Sequence, residues 1–312
     1  MYEIVVIILI AYVLDLLFGD PRWLAHPVKA IGWLITKIEM PLRNIVKNER
    51  IAGVIFTAFI VIVSWIVVFF AVQAAGHLHL FAGLLVSVFF VYSGISVKDL
   101  KVESLAVYDA LQNEDIISAR KKLSMIVARD TKDLDKTQII RATVETIAES
   151  IVDGIISPLF YAFIGGAPLV IAYKAVNTMD SMVGYKNKNF INFGWASAKL
   201  DDLVNFIPAR ISAILLPIAA LLSGKNARNA WKFILRDGNK HPSPNSGIPE
   251  AGVAGALGVQ LGGINYYQGK QCVKPFIADM SQALKTEHIK ESLMIVYVCS
   301  FLAVLAGFLI TR

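Results

Sequence analysis

Apolar runs long enough to cross a bilayer punctuate this chain, and the polar residues gather between them. A spanning helix needs ~20 mostly apolar residues. Four stretches qualify: residues 2–18, 51–75, 80–97 and 293–310. The first lacks a basic leading region, and Gly19-Asp20-Pro21 stand where a small-residue cleavage site would, so it reads as a retained helix. Two further stretches, 151–173 and 203–222, are interrupted. Pro158 and Gly165-Gly166-Ala167-Pro168 break the first; Pro208, Arg210 and Pro217 break the second. Such breaks are tolerated in a membrane where surrounding protein satisfies the freed backbone groups. The pattern predicts an all-α polytopic membrane protein: about four clear transmembrane helices plus two broken or re-entrant segments, in a single integral membrane domain over 1–312.

Between the spans the periodicity stays helical. Apolar spacings of three and four run through 102–111 and 116–127, and Asp133 or Asp135 suits the cap of a helix over 137–150. Residues 237–270, rich in Gly, Pro, Asn and Ser, read as a shaped loop, and strand signals are scarce. No internal repeat or heptad run is apparent.

Composition sharpens the class. Hydrophobic residues are 56% of the chain and charged residues 17%, which excludes disordered, collagen-like and coiled-coil chains. Two cysteines, Cys272 and Cys299, make no disulfide framework. A net charge of +6 suits anionic lipid or phosphorylated substrates, and no nucleic acid is expected as a partner. Lys and Arg number six in 19–50, nine in 98–150 and nine in 223–292, with none in 73–79. The positive-inside rule then makes those three segments cytoplasmic. Segment 174–202 has four and goes outside if both broken stretches span, inside if both are re-entrant; its polar density favours the inside.

Several polar groups carry candidate chemistry, each with a plainer alternative. Arg141, Glu145, Glu149 and Asp153 recur every four residues, on one helical stripe. Three carboxylates on one face repel unless a cation or base meets them, so Mg²⁺ is a natural ligand; a solvated face with an Arg141–Glu145 pair is the alternative. Asn177 with Asp180, and Lys199 with Asp202, stand three apart. With Asp201 they offer oxygen ligands for Mg²⁺ on phosphate, or else helix caps. In Arg129-Asp130-Thr131 the arginine fork suits a phosphate or carboxylate; a turn with a local ion pair explains it equally well. The loop His241-Pro-Ser-Pro-Asn-Ser-Gly247 offers Ser243, Asn245 and Ser246 ahead of a small-residue run, which suits an anion at a helix start. Asp15, Asp20, Arg22 and His26 lie where the first helix ends, and His26 reads as an interfacial hydrogen-bonded histidine. Walker, dinucleotide-binding, zinc and nucleophile-elbow motifs are all absent.

Taken in order, these motifs resemble the CobD/CbiB family, the membrane-bound adenosylcobinamide-phosphate synthases of cobalamin biosynthesis. The resemblance rests on Leu14-Asp-Leu-Leu-Phe-Gly-Asp-Pro-Arg22 with His26-Pro27, Ala128-Arg-Asp-Thr131, and Glu145-x-x-x-Glu149 leading to Asp153-Gly154. It continues through Tyr173-Lys-Ala-Val-Asn-Thr-Met-Asp-Ser-Met-Val-Gly-Tyr185, Phe193-Gly-Trp-Ala-Ser-Ala-Lys-Leu-Asp-Asp202, Pro208-Ala-Arg210 and the 241–247 loop. It covers essentially the whole chain; Ile248 departs from it, where an aromatic residue is expected.

The resemblance implies an ATP-dependent acid–amine ligase of the cell membrane, multi-pass, with its site facing the cytoplasm. Its substrates are a corrinoid, adenosylcobyric acid, whose free f-side-chain propionate is joined to (R)-1-amino-2-propanol or its O-phosphate. ATP and Mg²⁺ are the implied co-substrate and metal, the lipid bilayer is a partner, and a complex with later cobalamin-assembly membrane enzymes is a further implied one. Glu145, Glu149, Asp180, Lys199 and Asp202 are the implied catalytic residues. Arg22, Arg129, Asp130, Thr131, Asn177, Ser181, Lys186, Arg210, His241, Ser243, Asn245 and Ser246 are the implied substrate and phosphate ligands. Glu149, Asp153, Asp180 and Asp201 are the implied Mg²⁺ ligands. Two rival classes stay open: a transporter of a small amine or corrinoid precursor, and a Mg²⁺-dependent membrane transferase. Dependence on ATP separates both from a ligase.

Overall fold

The computed structural model describes residues 2–310, except Arg22, Leu24, Ala25, Lys186 and the side chain of Tyr2. In chain order the first helices are α1 (Tyr2–Phe18), α2 (Pro27–Ile45), α3 (Glu49–Leu78), α4 (Leu80–Tyr92), α5 (Val97–Gln112) and α6 (Ile116–Leu123). There follow α7 (Lys136–Ser150), a π-helical turn (Ile151–Ile156), α8 (Ser157–Val183), α9 (Trp195–Val204), α10 (Phe206–Leu222) and α11 (Ala227–Asp237). Then come α12 (Gly247–Leu257), strands β1 (Leu261–Tyr267) and β2 (Lys270–Ile277), and α13 (Glu287–Ile310).

This is an all-α polytopic membrane protein with one small hairpin. Four helical stretches are long and apolar enough to cross a membrane: Glu49–Leu78, Leu80–Gln112, Lys136–Val183 and Glu287–Ile310. The bent pair of α9 and α10 adds a fifth if it counts as one span. The expected spans 51–75, 80–97 and 293–310 fall within three of these. The interrupted stretch 151–173 lies in the fourth, while α1, with 17 residues, is shorter than all of them. The expected interruption is present inside α8. Gly166 takes φ 62° and ψ −154°, outside helical geometry, and Pro168 stands near the start of the piece that follows. Glycine alone adopts that conformation freely, and proline is tolerated in a first turn.

The chain forms two compact units. One comprises Met1–Ser96, Ser157–Asn205 and Ala306–Arg312; the other comprises Val97–Ile156 and Phe206–Leu305. In the first unit α3 packs against α2, α4, α8 and α9. Gly53 makes this approach possible, since a Cβ there would sit 1.9 Å from the Phe193 carbonyl oxygen. Thr57 and Ser197 share a buried 2.9 Å hydrogen bond at the same contact. Arg43 clamps the segment before α9: it pairs with Glu39 and Glu49, donates to the Asn189 carbonyl and lies 4.7 Å over the Phe193 ring.

In the second unit all eleven residues of α12 are buried, and the helix packs on α7, α10 and α11. Its Gly and Ala residues let α11 come close; a Cβ on Gly255 would meet the Asn229 carbonyl oxygen at 2.5 Å. Strands β1 and β2 pair antiparallel, with Asn265 opposite Cys272 and Ile264 opposite Val273. Gln268 and Gly269 turn the hairpin with φ 52° and 74°, as a two-residue primed turn requires.

The expected loop over 237–270 is therefore corrected. Only its first part is irregular; α12 and β1 occupy most of the rest. Helix propensity is poor in a Gly-rich run, but complete burial outweighs it. Gly262, Gly263 and Asn265 hide β1 in the same way, since none is a strand former. The expected helices over 102–111, 116–127 and 137–150 correspond to α5, α6 and α7. Asp135 caps α7 through a reciprocal box with Gln138.

Candidate functional site

Both units bring expected polar residues together. In the second unit a polar centre is built on α7, whose four-residue spacing aligns Arg141, Glu145 and Glu149. Glu145 is fully buried and its oxygens are spoken for: Oε2 accepts from Arg129 Nη2 at 2.6 Å, and Oε1 accepts from the Gly262 N–H at 2.9 Å. Arg129 also donates to Asn265 Oδ1 at 2.8 Å, and Arg141 to the Ile264 carbonyl at 2.6 Å. These bonds tie α7 to β1. Burial works against the Arg129 charge, but Glu145 outweighs it and holds the guanidinium above its ordinary pKa.

One turn along, the groups are less satisfied. Lys274 Nζ lies 3.5 Å from Glu149 Oε1 and 3.7 Å from Glu250 Oε1, and His241 Nε2 lies 3.7 Å from Glu250 Oε1. The Glu149 side chain is 32% exposed and Glu250 is 0% exposed. The Glu149 and Glu250 carboxyl groups are hydrogen-bonded to each other, while His241 Nε2 makes no hydrogen bond among the described residues. Burial, then the charge of Glu149, raises Glu250 well above the carboxylate range. Burial and Lys274 push His241 down to about 4. Burial alone would lower Lys274, but Glu149 and Glu250 hold it above the usual lysine range.

Glu149, His241 and Glu250 bring ligand-type atoms within 4.8 Å of one another. Yet His241 Nδ1 accepts the Ser243 N–H at 3.0 Å, so a neutral ring carries its proton on Nε2. The imidazole therefore presents an N–H to Glu250, not a lone pair for a metal. Lys274 already supplies a cation between the two carboxylates.

In the first unit, α8 supplies Asn177 and Asp180, and α9 supplies Lys199, Asp201 and Asp202. Asp201 Oδ2 accepts from Asn205 Nδ2 at 3.0 Å, while Asn205 Oδ1 accepts from Ser157 at 2.6 Å and Tyr173 at 3.0 Å. Asp201 Oδ1 is buried and accepts nothing from the described residues. The charges of Asp180, Asp201 and Asp202 act on one another, and Asn177 faces Asp201. Lys199 pairs with Asp202 at 3.2 Å on the outer side. Three carboxylates with one orphaned buried oxygen are a donor set that fits a hard divalent cation such as Mg²⁺.

The remaining expected residues have plain positions. Both Asp130 oxygens accept backbone N–H groups of the hairpin turn, from Gln268 at 3.2 Å and Gly269 at 2.7 Å. Thr131 is buried, and its carbonyl accepts from the Leu134 N–H. Arg210 donates to Asn245 Oδ1 at 2.8 Å and stacks over Phe206 at 3.6 Å. Ser243 Oγ accepts from the Asn245 N–H, and Ser246 precedes α12 without a side-chain capping bond. Ser181 bonds its own helix at Asn177. Asp153 sits in the π turn, whose wider step departs from the Glu145–Glu149 spacing. Arg22 and Lys186 lie outside the described residues.

Glu250, Lys274 and Asn265 were not singled out from sequence. A lone acid in a wholly apolar helix was the available signal for Glu250, since such a residue is rarely buried without purpose.

Long apolar helices around buried carboxylates define a polytopic membrane protein with polar centres in its interior. The chain matches the family model described as CobD/Cbib protein over residues 8–296. It belongs to the CobD/CbiB family, biosynthetic enzymes of the cobalamin pathway. It is 49% identical over 311 residues to the cobalamin biosynthesis protein CobD of Geobacter metallireducens, covering 100% of this chain and 98% of that one. The CobD protein of Leptospira interrogans is 45% identical over 295 residues, 95% of this chain and 94% of its own. Salmonella typhi cobalamin biosynthesis protein CbiB is 43% identical over 306 residues, 97% of this chain and 96% of its own. No solved structure matches this chain.

Proposed function

We propose that this chain joins the free f-side-chain propionate of adenosylcobyric acid to the amine of (R)-1-amino-2-propanol or its O-phosphate, consuming ATP. Family membership over residues 8–296 carries this reading. A carboxylate is a poor acyl donor, so phosphorylation to an acyl phosphate precedes attack by the amine. The amine must lose a proton to attack, which calls for a nearby base.

The polar centre of the second unit suits that step. Its charged groups are Arg129, Arg141 and Lys274 against Glu145 and Glu149, with Glu250 held neutral by burial. Three positive charges against two leave one, which favours an anionic substrate group. Arg129, Arg141 and Lys274 would oppose carboxylate or phosphate charge, and Glu149, a third exposed, would meet the ammonium. The 241–247 loop with Arg210 is a further anion-facing element in the same unit. In the first unit Asp180, Asp201 and Asp202, with Asn177, would hold Mg²⁺. That ion would neutralise phosphate oxygens when bound.

The test is incubation of the detergent-purified chain with adenosylcobyric acid, aminopropanol phosphate and Mg-ATP, followed by mass spectrometry for the amide. Amide that appears only with ATP is the expected result. No amide from folded protein with either amine form removes the reading.

A further inference from the structure

Helices α5 and α13 run side by side in opposite directions within the second unit. Gln112, the last residue of α5, donates from Nε2 to Oε1 of Glu287, the first residue of α13, at 3.2 Å. Each helix turns one stripe toward the other at steps of three and four: Lys101, Leu105 and Tyr108 on α5, and Lys290, Leu293, Met294 and Tyr297 on α13. The lysines cross over. Lys290 Nζ lies 3.9 Å from the centre of the Tyr108 ring, and Lys101 Nζ lies 5.2 Å from that of Tyr297. Between the helices is a groove of about 380 Å³, lined by Lys101, Leu105, Lys290, Leu293, Met294 and Tyr297.

Neither lysine pairs with a carboxylate among the described residues; each has a tyrosine ring instead. The neighbouring acids of α13 have other partners: Glu287 accepts from Gln112, and Glu291 pairs with Lys225 at 2.6 Å. Asp99 and Glu103 on α5 are likewise engaged. A tyrosine face offsets part of the cost of holding an ammonium against apolar surface, but it leaves the three N–H donors open. Two positive charges thus face one groove whose other walls are largely apolar: Leu105, Leu293 and Met294, the last 55% exposed. The position along α13 adds to this. Glu287–Ile310 is long and apolar enough to cross a membrane, and after Glu291 it carries no charged residue. Lysine and tyrosine at the charged end of such a helix stand at headgroup level.

We infer that this groove holds one anionic phospholipid, with its headgroup against the Lys101 and Lys290 ammoniums and an acyl chain along Leu105, Leu293 and Met294. Charge complementarity selects the headgroup. A phosphodiester without an amine answers the two lysines, whereas the cationic end of a choline or ethanolamine headgroup meets like charge. The apolar walls select a lipid over free phosphate, which has nothing to bury against them. Met294 suits a chain of variable shape, because an unbranched thioether repacks easily. None of these residues belongs to the candidate site, so the lipid site stands or falls apart from the amide-forming reaction. A lipid seated there bridges α5 and α13 and binds only the folded chain, so its occupancy should raise stability.

Native mass spectrometry of the full-length chain in detergent, with phosphatidylglycerol or phosphatidylcholine of matched acyl chains added, reads occupancy directly. The wild-type chain should retain phosphatidylglycerol in preference, with each lysine contributing roughly fivefold in affinity. Lys101→Gln combined with Lys290→Gln should erase the preference. Lys121→Gln combined with Lys122→Gln, an equal change of charge on α6, should keep it. Met294→Trp narrows the groove and removes no charge, and it should weaken retention with both lysines in place. Added phosphatidylglycerol should raise the unfolding temperature of the wild-type chain and leave that of the Lys101→Gln, Lys290→Gln variant unmoved. Equal retention of the two lipids by the wild-type chain overturns the site and leaves the lysines as general interfacial anchors. That comparison needs no variant, so misfolding of a mutant does not mask it. A preference that survives the loss of both lysines overturns it as well. Glycerol phosphate that raises the wild-type unfolding temperature as far as the lipid does removes the lipid as occupant.

Discussion

Arg129 donates from Nη2 to Glu145 Oε2 at 2.6 Å, and the two side chains are 5% and 0% exposed. Removing either partner strands a charge in the interior. Arg129→Met or Glu145→Leu alone should destabilise the chain by about 3–5 kcal/mol, whereas the double replacement should cost less than either single change. Thermal unfolding of the four proteins in one detergent, treated as a double-mutant cycle, checks this.

Stability should fall in acid partly because of His241. Its folded pKa of about 4 lies below the unfolded 6.5, so the unfolded chain binds the extra proton first. Its contribution is complete above 6.5 and is lost as pH falls toward 4, a loss of roughly 3 kcal/mol. Glu250 has the opposite sign. Its raised pKa gives stability that is present below the unfolded 4.5 and is lost as pH rises through the folded value. His241→Asn should flatten the acid limb of the unfolding midpoint, and Glu250→Gln should gain on wild type as pH rises.

Asp130 separates a binding role from a structural one. Its two oxygens hold the Gln268 and Gly269 N–H groups, so Asp130→Ala should loosen the hairpin by about 1–3 kcal/mol. Hydrogen exchange at the turn should rise. Unchanged exchange, with binding of phosphate-bearing substrate lost, would return Asp130 to a ligand role.

Two glycines should resist any side chain. Gly53→Ala and Gly255→Ala each force a methyl against a backbone carbonyl, at Phe193 and Asn229 respectively. Overpacking of this kind costs about 1–3 kcal/mol, and more where the obstacle is backbone. Lower unfolding temperatures for both are expected, while Gly76→Ala, which meets nothing within 4 Å, should be close to neutral.

Asp201→Asn tests the carboxylates of the first unit. The variant keeps the shape of the side chain but removes its charge. The Mg²⁺ concentration needed for half-maximal amide formation should rise, with folding intact by circular dichroism. An unchanged requirement would take Asp201 out of the metal set.

What could be read from the chain followed from local rules. The bilayer demands long apolar runs, so the helices around 51–75, 80–97 and 293–310 were legible, as was the break at Gly165-Gly166. The four-residue step put Glu145 and Glu149 on one face of α7. Their partners were not legible, because Gly262 and Lys274 lie more than a hundred residues away and belong to a hairpin with an unlikely strand sequence. Glu250 was hidden for a related reason: Gly and Ala around it look like a loop until burial shows that they are the small side of a tight helix contact.

The hairpin register also makes the chain its own reporter. Cys272 is an exposed thiol opposite Asn265, whose amide oxygen accepts from Arg129, and the other cysteine, Cys299, is buried. A maleimide dye should therefore attach at one place in the unaltered chain, one strand pair away from the arginine that holds Glu145. Its emission would follow that corner of the molecule with no engineered cysteine at all.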